Sequence, residues 1–250
     1  MTDRRTSLVT GAGSGIGRAF AETLARAGDD LCLLDVDPHR LATTADALGA
    51  RYAVADVSDR AAVEAAVGNL VRRAGRLDLL VHCAAILGPG TWATQPSDDF
   101  ERVVRVDFLG TANVIRSALP WLRPARGQVV TLASTAAVHG WPGLAAYSAA
   151  KFAVVGFTEG IRAELAREGV GVTTVFPLLI DTPLLDAPDI PPILRQGRRL
   201  PPAVVVRKAL AGAARRARRV YVPGSVRILA ALQGIAPSLL DWYGARFGIE

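Results

Sequence analysis

Six short apolar runs, separated by longer Ala- and Leu-rich segments, constrain this chain more than any other feature of its sequence. Ser7–Thr10, Leu31–Val36, Arg51–Ala55, Leu77–Ala84, Gln128–Ala133 and Val170–Phe176 show little polar alternation, which suits strands buried on both faces of a parallel sheet. Between them, Ile16–Ala27, His39–Leu48, Asp59–Ala74, Ser97–Trp121 and Tyr147–Glu168 have charged faces and the lengths of crossover helices. A last helix near Ala203–Arg216 and a strand at Val220–Val222 close the pattern. Because parallel crossovers are right-handed, this order predicts an α/β fold. The expected architecture is one doubly wound domain over residues 1–250, with about seven parallel strands and helices on both faces. Ligands of such sheets bind outside the carboxyl ends of the strands, where the winding direction switches. Residues 183–202 contain six prolines and are expected to form an irregular cover over that site, with 223–250 as a C-terminal tail.

Composition excludes several classes. Half of the 250 residues are apolar and 21% are charged, so the chain can bury a sizeable core and is not disordered. Cys32 and Cys83 form no CxxC, which argues against a disulfide framework or a cysteine zinc site; no cluster has metal-ligand spacing, and no metal is expected. No apolar run approaches the roughly 18 residues of a membrane span, and a cytoplasmic protein is expected. The net charge of +6 is uneven: Pro191–Leu240 holds ten Arg or Lys and no acid, while the other 200 residues carry −4. No nucleic-acid motif accompanies this excess. Arg215, Arg216, Arg218 and Arg219 read most simply as a solvated helix end, and contact of the basic tail with an anionic membrane surface or a partner subunit is the less favoured alternative.

Directly after the first strand, Thr10-Gly11-Ala12-Gly13-Ser14-Gly15-Ile16-Gly17 opens the first helix. Glycines there let the backbone approach a pyrophosphate, and the helix N-terminus offers free amides to it. Asp35 ends the second strand, where a carboxylate can accept from both hydroxyls of an adenosine ribose and repel a 2′-phosphate. With Val36 beside it and Ser14 in the turn, the site is expected to take NAD rather than NADP. Asp56 and Val57, after the third strand, are placed at the adenine edge.

Tyr147 and Lys151 lie four residues apart, on one face of a helix. A phenol has a pKa of about 10, and an adjacent ammonium favours its ionised form. Lys151 and a positively charged nicotinamide ring are together expected to bring the Tyr147 pKa down toward neutral pH. Lys151 is one of only two lysines against 27 arginines. Ser134, at the end of the strand QVVTLAS, would hydrogen-bond a substrate oxygen.

Together TGAGSGIG, Asp56-Val57, Ser134, YSAAK and Asp181-Thr182-Pro183 resemble the short-chain dehydrogenase/reductase family and its Rossmann fold. The resemblance covers roughly Thr6 to Val222 and implies that Tyr147 is the general acid/base, Lys151 the ribose-binding lysine and Ser134 the substrate-orienting hydroxyl. It also implies that Thr182 and the backbone of Ile180 hold the nicotinamide carboxamide, and that the chain is a homodimer or homotetramer built on Ser97–Trp121 and Tyr147–Glu168. Three departures are visible. His82-Cys83-Ala84-Ala85 replaces Asn-Asn-Ala-Gly, leaving Ala84 near the cofactor; Asp107 replaces the helix Asn of the proton relay; and Pro177-Leu178 replaces Pro-Gly. Asp107 brings a charge that is expected to raise the lysine pKa and alter the pH optimum or blunt turnover.

The expected activity is interconversion of a secondary alcohol and a ketone by hydride transfer to or from NAD(H). Trp141, Leu144, Leu178, Leu179, Leu184, Leu185, Ile190 and Ile193 would surround an apolar small-molecule substrate, steroid-like, terpenoid or acyl, with His139 a lesser candidate for the same pocket. The alternative is a coenzyme-binding regulator or scaffold with little turnover.

Overall fold

The computed structural model describes residues 4–186, 190–195 and 197–247. Seven strands, β1 (Thr6–Thr10), β2 (Asp30–Asp35), β3 (Arg51–Val54), β4 (Leu79–His82), β5 (Gln128–Leu132), β6 (Gly171–Pro177) and β7 (Arg219–Val222), pair in parallel in the order β3-β2-β1-β4-β5-β6-β7. This is the doubly wound Rossmann arrangement that the alternation of apolar runs implies.

The helices are α1 (Gly15–Arg26), α2 (Pro38–Leu48), α3 (Arg60–Val71), α4 (Ser97–Val104), α5 (Gly110–Ala125), α6 (Ala145–Arg167), α7 (Pro192–Arg195), α8 (Pro202–Ala214), α9 (Val226–Ile235) and α10 (Pro237–Phe247). Each sheet face has its own core. On one, Val67 and Leu70 of α3, Ile115 and Leu122 of α5 and Leu165 of α6 pack on Leu8, Leu80 and Val129. On the other, Phe20 and Leu24 of α1, Leu41 of α2 and Val205 of α8 pack on Val9, Leu33 and Val81. Side chains from one strand go alternately to the two cores, so both faces must be apolar. Local chemistry sets the helix starts: Asp37 accepts from the amides of His39 and Arg40, and Asp59 from those of Ala61 and Ala62.

Two elements differ from the sequence reading. The expected strand Leu77–Ala84 pairs only over Leu79–His82; beyond it the Cys83 amide is shared between the Thr10 carbonyl and hydroxyl, each at 3.2 Å, and the Ala84 amide turns to the hydroxyl at 3.4 Å. The expected helix Ser97–Trp121 is broken by a π-turn at Arg105–Leu109, beside which Thr111 Oγ1 donates to the Asp107 carbonyl at 2.6 Å. Such wide turns accommodate an extra residue and recur at functional sites. Here the turn carries Asp107, which is fully buried.

The basic stretch is used structurally. Arg216 donates to the carbonyls of Gly169 and Arg126, satisfying chain ends just beyond α6 and α5, and Arg219 pairs with Glu159. No helix among the described residues is long and apolar enough to cross a membrane. The described part of the proline-rich excursion forms a short 3-10 turn at Pro183–Leu185 and then α7.

Candidate active site

The winding direction reverses between β1 and β4, where Thr10 registers with His82. The glycine turn lines the resulting crevice. Gly11 has a φ of +66°, and a β-carbon on it would lie 2.8 Å from the Ala84 amide nitrogen. Gly15 has a φ of +52° and packs against the Thr182 methyl, which joins the turn to the segment after β6. A cleft of about 360 Å³ is walled by Gly11, Ser14, Gly15, Ile16, Gly17, Asp35, Asp56, Val57, Ala84 and Thr182. Every coenzyme-side residue read from the sequence is therefore gathered in one place, apart from Ile180, Tyr147 and Lys151, which line the adjoining cavity.

Asp35 has a second role. Its Oδ2 accepts from the Gly13 amide at 2.8 Å and its Oδ1 from the Asp37 amide at 3.0 Å, so the carboxylate braces the glycine turn while facing the cleft. Asp56 similarly holds Ser58, and the Val57 carbonyl accepts from Asn113. The sequence reading placed no base at this end of the cleft. The structure brings in Arg40, which lines the same wall and pairs with Asp37 at 3.3 Å. Its position in the first turn of α2, not adjacent to Asp35, is why the dipeptide Asp35-Val36 did not reveal it. Arg102 is a second cation missed in this way.

The adjoining cavity, about 340 Å³, shares Ile16, Cys83 and Thr182 with the cleft and contains Ser134, Tyr147 and Lys151. The long buried face of α6 positions Tyr147 and Lys151, with the lysine nitrogen 5.3 Å from the phenol ring centre. Ser134 caps the 3-10 turn after β5, its Oγ accepting from the Ala136 amide at 3.1 Å, and lines the same cavity as Tyr147. Lys151 donates to the Leu132 carbonyl at 3.3 Å and forms an ion pair with Asp107 at 3.0 Å. The other Asp107 oxygen accepts from the Ile86 amide at 2.8 Å.

Burial pushes the Tyr147 phenol up; Lys151 and the Ser134 hydroxyl pull it down, Asp107 opposes them, and the net direction is upward. Burial works to lower the Lys151 pKa, but Asp107 and Tyr147 more than offset it, so the ammonium is retained. Asp107 is pushed up by burial and drawn back by Lys151 and the Ile86 amide. Burial and the Lys151 charge bring His82 down to about 3, leaving it neutral, and burial holds Cys83 as a thiol. Thr10 Oγ1 accepts from two amides, so its proton goes to His82 Nδ1 at 2.8 Å.

Trp141, Leu144, Leu178, Leu179, Leu184 and Leu185 line the second cavity as expected. Ile190 packs in the core beside it, and the Ile193 side chain lies outside the described residues. His139 does not line the cavity. It is buried, with Nδ1 2.9 Å from Gln233 Oε1, and fastens α9 to the loop that carries Trp141. The tail instead supplies Leu229 and Tyr243 to the cavity wall, two residues that no local motif marks. No group of three potential metal ligands occurs among the described residues.

The family model described as short chain dehydrogenase matches residues 5–189. This chain belongs to that family. A curated relative, the 2-dehydro-3-deoxy-L-rhamnonate dehydrogenase (NAD(+)) of a Sphingomonas strain, is 36% identical over 185 residues, covering 73% of this chain and 74% of the relative. The structure of a short chain dehydrogenase/reductase from Burkholderia phymatum in complex with NAD superposes with a TM-score of 0.85 at 27% identity, covering 95% of each chain. An actinorhodin polyketide ketoreductase variant, solved with NADPH, matches with a TM-score of 0.81 at 30% identity over 90% of this chain and 97% of that one. As a short chain dehydrogenase, the protein is an oxidoreductase acting on a small molecule. The glycine cradle and the carboxylate beside it suit an adenine dinucleotide in charge and shape.

Proposed function

We propose that the protein interconverts a secondary alcohol and a ketone with NAD(H), acting on a largely apolar substrate. The observation that carries this reading is the convergence of Tyr147, Lys151 and Ser134 in an apolar cavity that opens into the dinucleotide cleft. Bound NAD supplies a hydride acceptor at its nicotinamide ring, and in the reduced form a hydride donor. Thr182 and the Ile180 backbone would hold the carboxamide end, Lys151 the nicotinamide ribose, and Asp35 the adenosine ribose.

Ser134 donates a hydrogen bond to the substrate oxygen and fixes it beside Tyr147. In oxidation the ionised Tyr147 oxygen takes the alcohol's hydroxyl proton as the carbinol hydrogen leaves as hydride, giving the C=O bond; in reduction Tyr147 returns the proton to the forming alcohol. Leu184, Leu185, Leu229 and Tyr243 make the wall around this step largely apolar. Preference for NAD rests on the Asp35 carboxylate, and the coenzymes named for the Sphingomonas and Burkholderia relatives support it. Exposed Leu109 and Phe152 leave apolar surface on the helices through which a homodimer or homotetramer would form.

Nicotinamide absorbance, followed with each coenzyme over a panel of alcohols and ketones of increasing apolar size, tests the reading. NAD-linked turnover that favours apolar members is expected. Tight NADH binding with no turnover on any member, unaltered in Tyr147→Phe, would instead identify a coenzyme-binding regulator.

A further inference from the structure

The ion pair beneath Tyr147 changes the charge balance of the site. Lys151, Asp107 and Tyr147 are all buried, on α6 and the π-turn. From the end of β4 and the residue after it, His82 and Cys83 face them as neutral groups, and from the turn after β5 Ser134 adds only a hydroxyl. With Asp107 ionised against Lys151 at 3.0 Å, the local charge is zero with Tyr147 as a phenol and −1 with it as a phenolate. An asparagine at 107 would make the same two states +1 and zero.

In so dry a site the difference is large, because a negative group in low dielectric is strongly disfavoured without a compensating positive charge. Geometry keeps Asp107 in place to act this way. One oxygen is held by the Ile86 amide at 2.8 Å, the other faces Lys151 at 3.0 Å, and the lysine is further tied to the Leu132 carbonyl.

We propose that Asp107 is a positioning residue that neutralises Lys151, so that Tyr147 ionises at neutral pH only when the positive charge of an oxidised nicotinamide is present. The inference rests on the functional reading above. Through this device the proton acceptor is created by binding of the oxidised coenzyme, while with the reduced coenzyme Tyr147 stays a phenol, the form that ketone reduction requires. The proton that Tyr147 gives up on binding passes to solvent, so binding of NAD⁺ alone releases protons.

Calorimetric binding of NAD⁺ and NADH to the wild-type protein, in buffers of different ionisation enthalpy, measures that release directly. Uptake of a sizeable fraction of one proton by buffer is expected with NAD⁺ at neutral pH and none with NADH, and Tyr147→Phe abolishes the difference. Ultraviolet difference titration of tyrosinate, with Tyr147→Phe as the blank, then compares the coenzyme-free wild type with Asp107→Asn. The variant is expected to ionise about one to two pH units lower, and its NAD⁺-linked proton release at neutral pH to shrink accordingly. Equal titration of the two proteins, or NAD⁺ binding without proton release in the wild type, overturns the proposal. Absence of coenzyme binding altogether would instead sink the functional reading beneath it. If Asp107→Asn does not fold, the wild-type calorimetry alone decides.

Discussion

Gly17 lies against the carbonyl of Gly11: a β-carbon at position 17 would stand 2.0 Å from that oxygen. The first turn of α1 can therefore close under the glycine turn only with hydrogen at this position. Gly17→Ala forces backbone, not a flexible side chain, to move, and is expected to cost at least about 2 kcal/mol and to weaken dinucleotide binding. Urea unfolding with an unchanged slope and a lower midpoint checks the first effect; equal midpoints would mean that the turn relaxes freely.

Coenzyme choice is set by opposed charges. Asp35 faces the cleft and repels a 2′-phosphate, while Arg40 on the same wall attracts it and is partly occupied by Asp37. Asp35→Ser is expected to raise relative use of NADP by about tenfold or more, since one removed like-charge contact is worth more than 1.4 kcal/mol in a half-buried site. Adding Arg40→Ala should reverse that gain. The ratio of kcat/KM for the two coenzymes reports both.

Removing Lys151 strands a buried carboxylate. Lys151→Met is expected to cost about 3 kcal/mol of stability, because Asp107 is left without its counter-charge, and the double variant Lys151→Met/Asp107→Asn should recover much of it. The pH dependence has a definite sign. Burial holds the folded-state Asp107 pKa above its unfolded value, so the native Lys151→Met protein keeps a proton that the unfolded chain releases. Its stability deficit therefore grows as pH rises from about 4. Denaturant midpoints across pH measure this, and a deficit independent of pH would contradict it.

The tail is a wall of the substrate cavity. Trp141 and Tyr243 meet edge to face at 6.4 Å, and His139 ties α9 to the same loop. Tyr243→Ala is expected to lower kcat/KM for bulky apolar substrates about tenfold, chiefly through KM, with coenzyme affinity unchanged. Equal losses for small and large substrates would place the residue outside specificity.

Much of this was legible from the chain. The apolar runs fixed a doubly wound sheet, because strands covered on both faces cannot alternate, and TGAGSGIG and YSAAK marked the two halves of the site. What escaped was set by distance in sequence. Arg40 and Arg102 reach the cleft from helix surfaces, and Tyr243 reaches the cavity from the far end of the chain. The wide turn that carries Asp107 leaves no mark in the periodicity of the run RVDFLG. The net direction of the Tyr147 shift likewise depended on burial, which competes with Lys151 and is invisible to spacing.

Transfer of deuterium from nicotinamide-deuterated NADH to a ketone that the protein turns over, read by mass spectrometry of the product alcohol in wild type and Tyr147→Phe, tests the central claim most directly. The account predicts one deuterium on the carbinol carbon with the wild type and a rate lower by about 10²-fold or more in the variant, at unchanged NADH affinity. Deuterium transfer at equal rates in both proteins would contradict it.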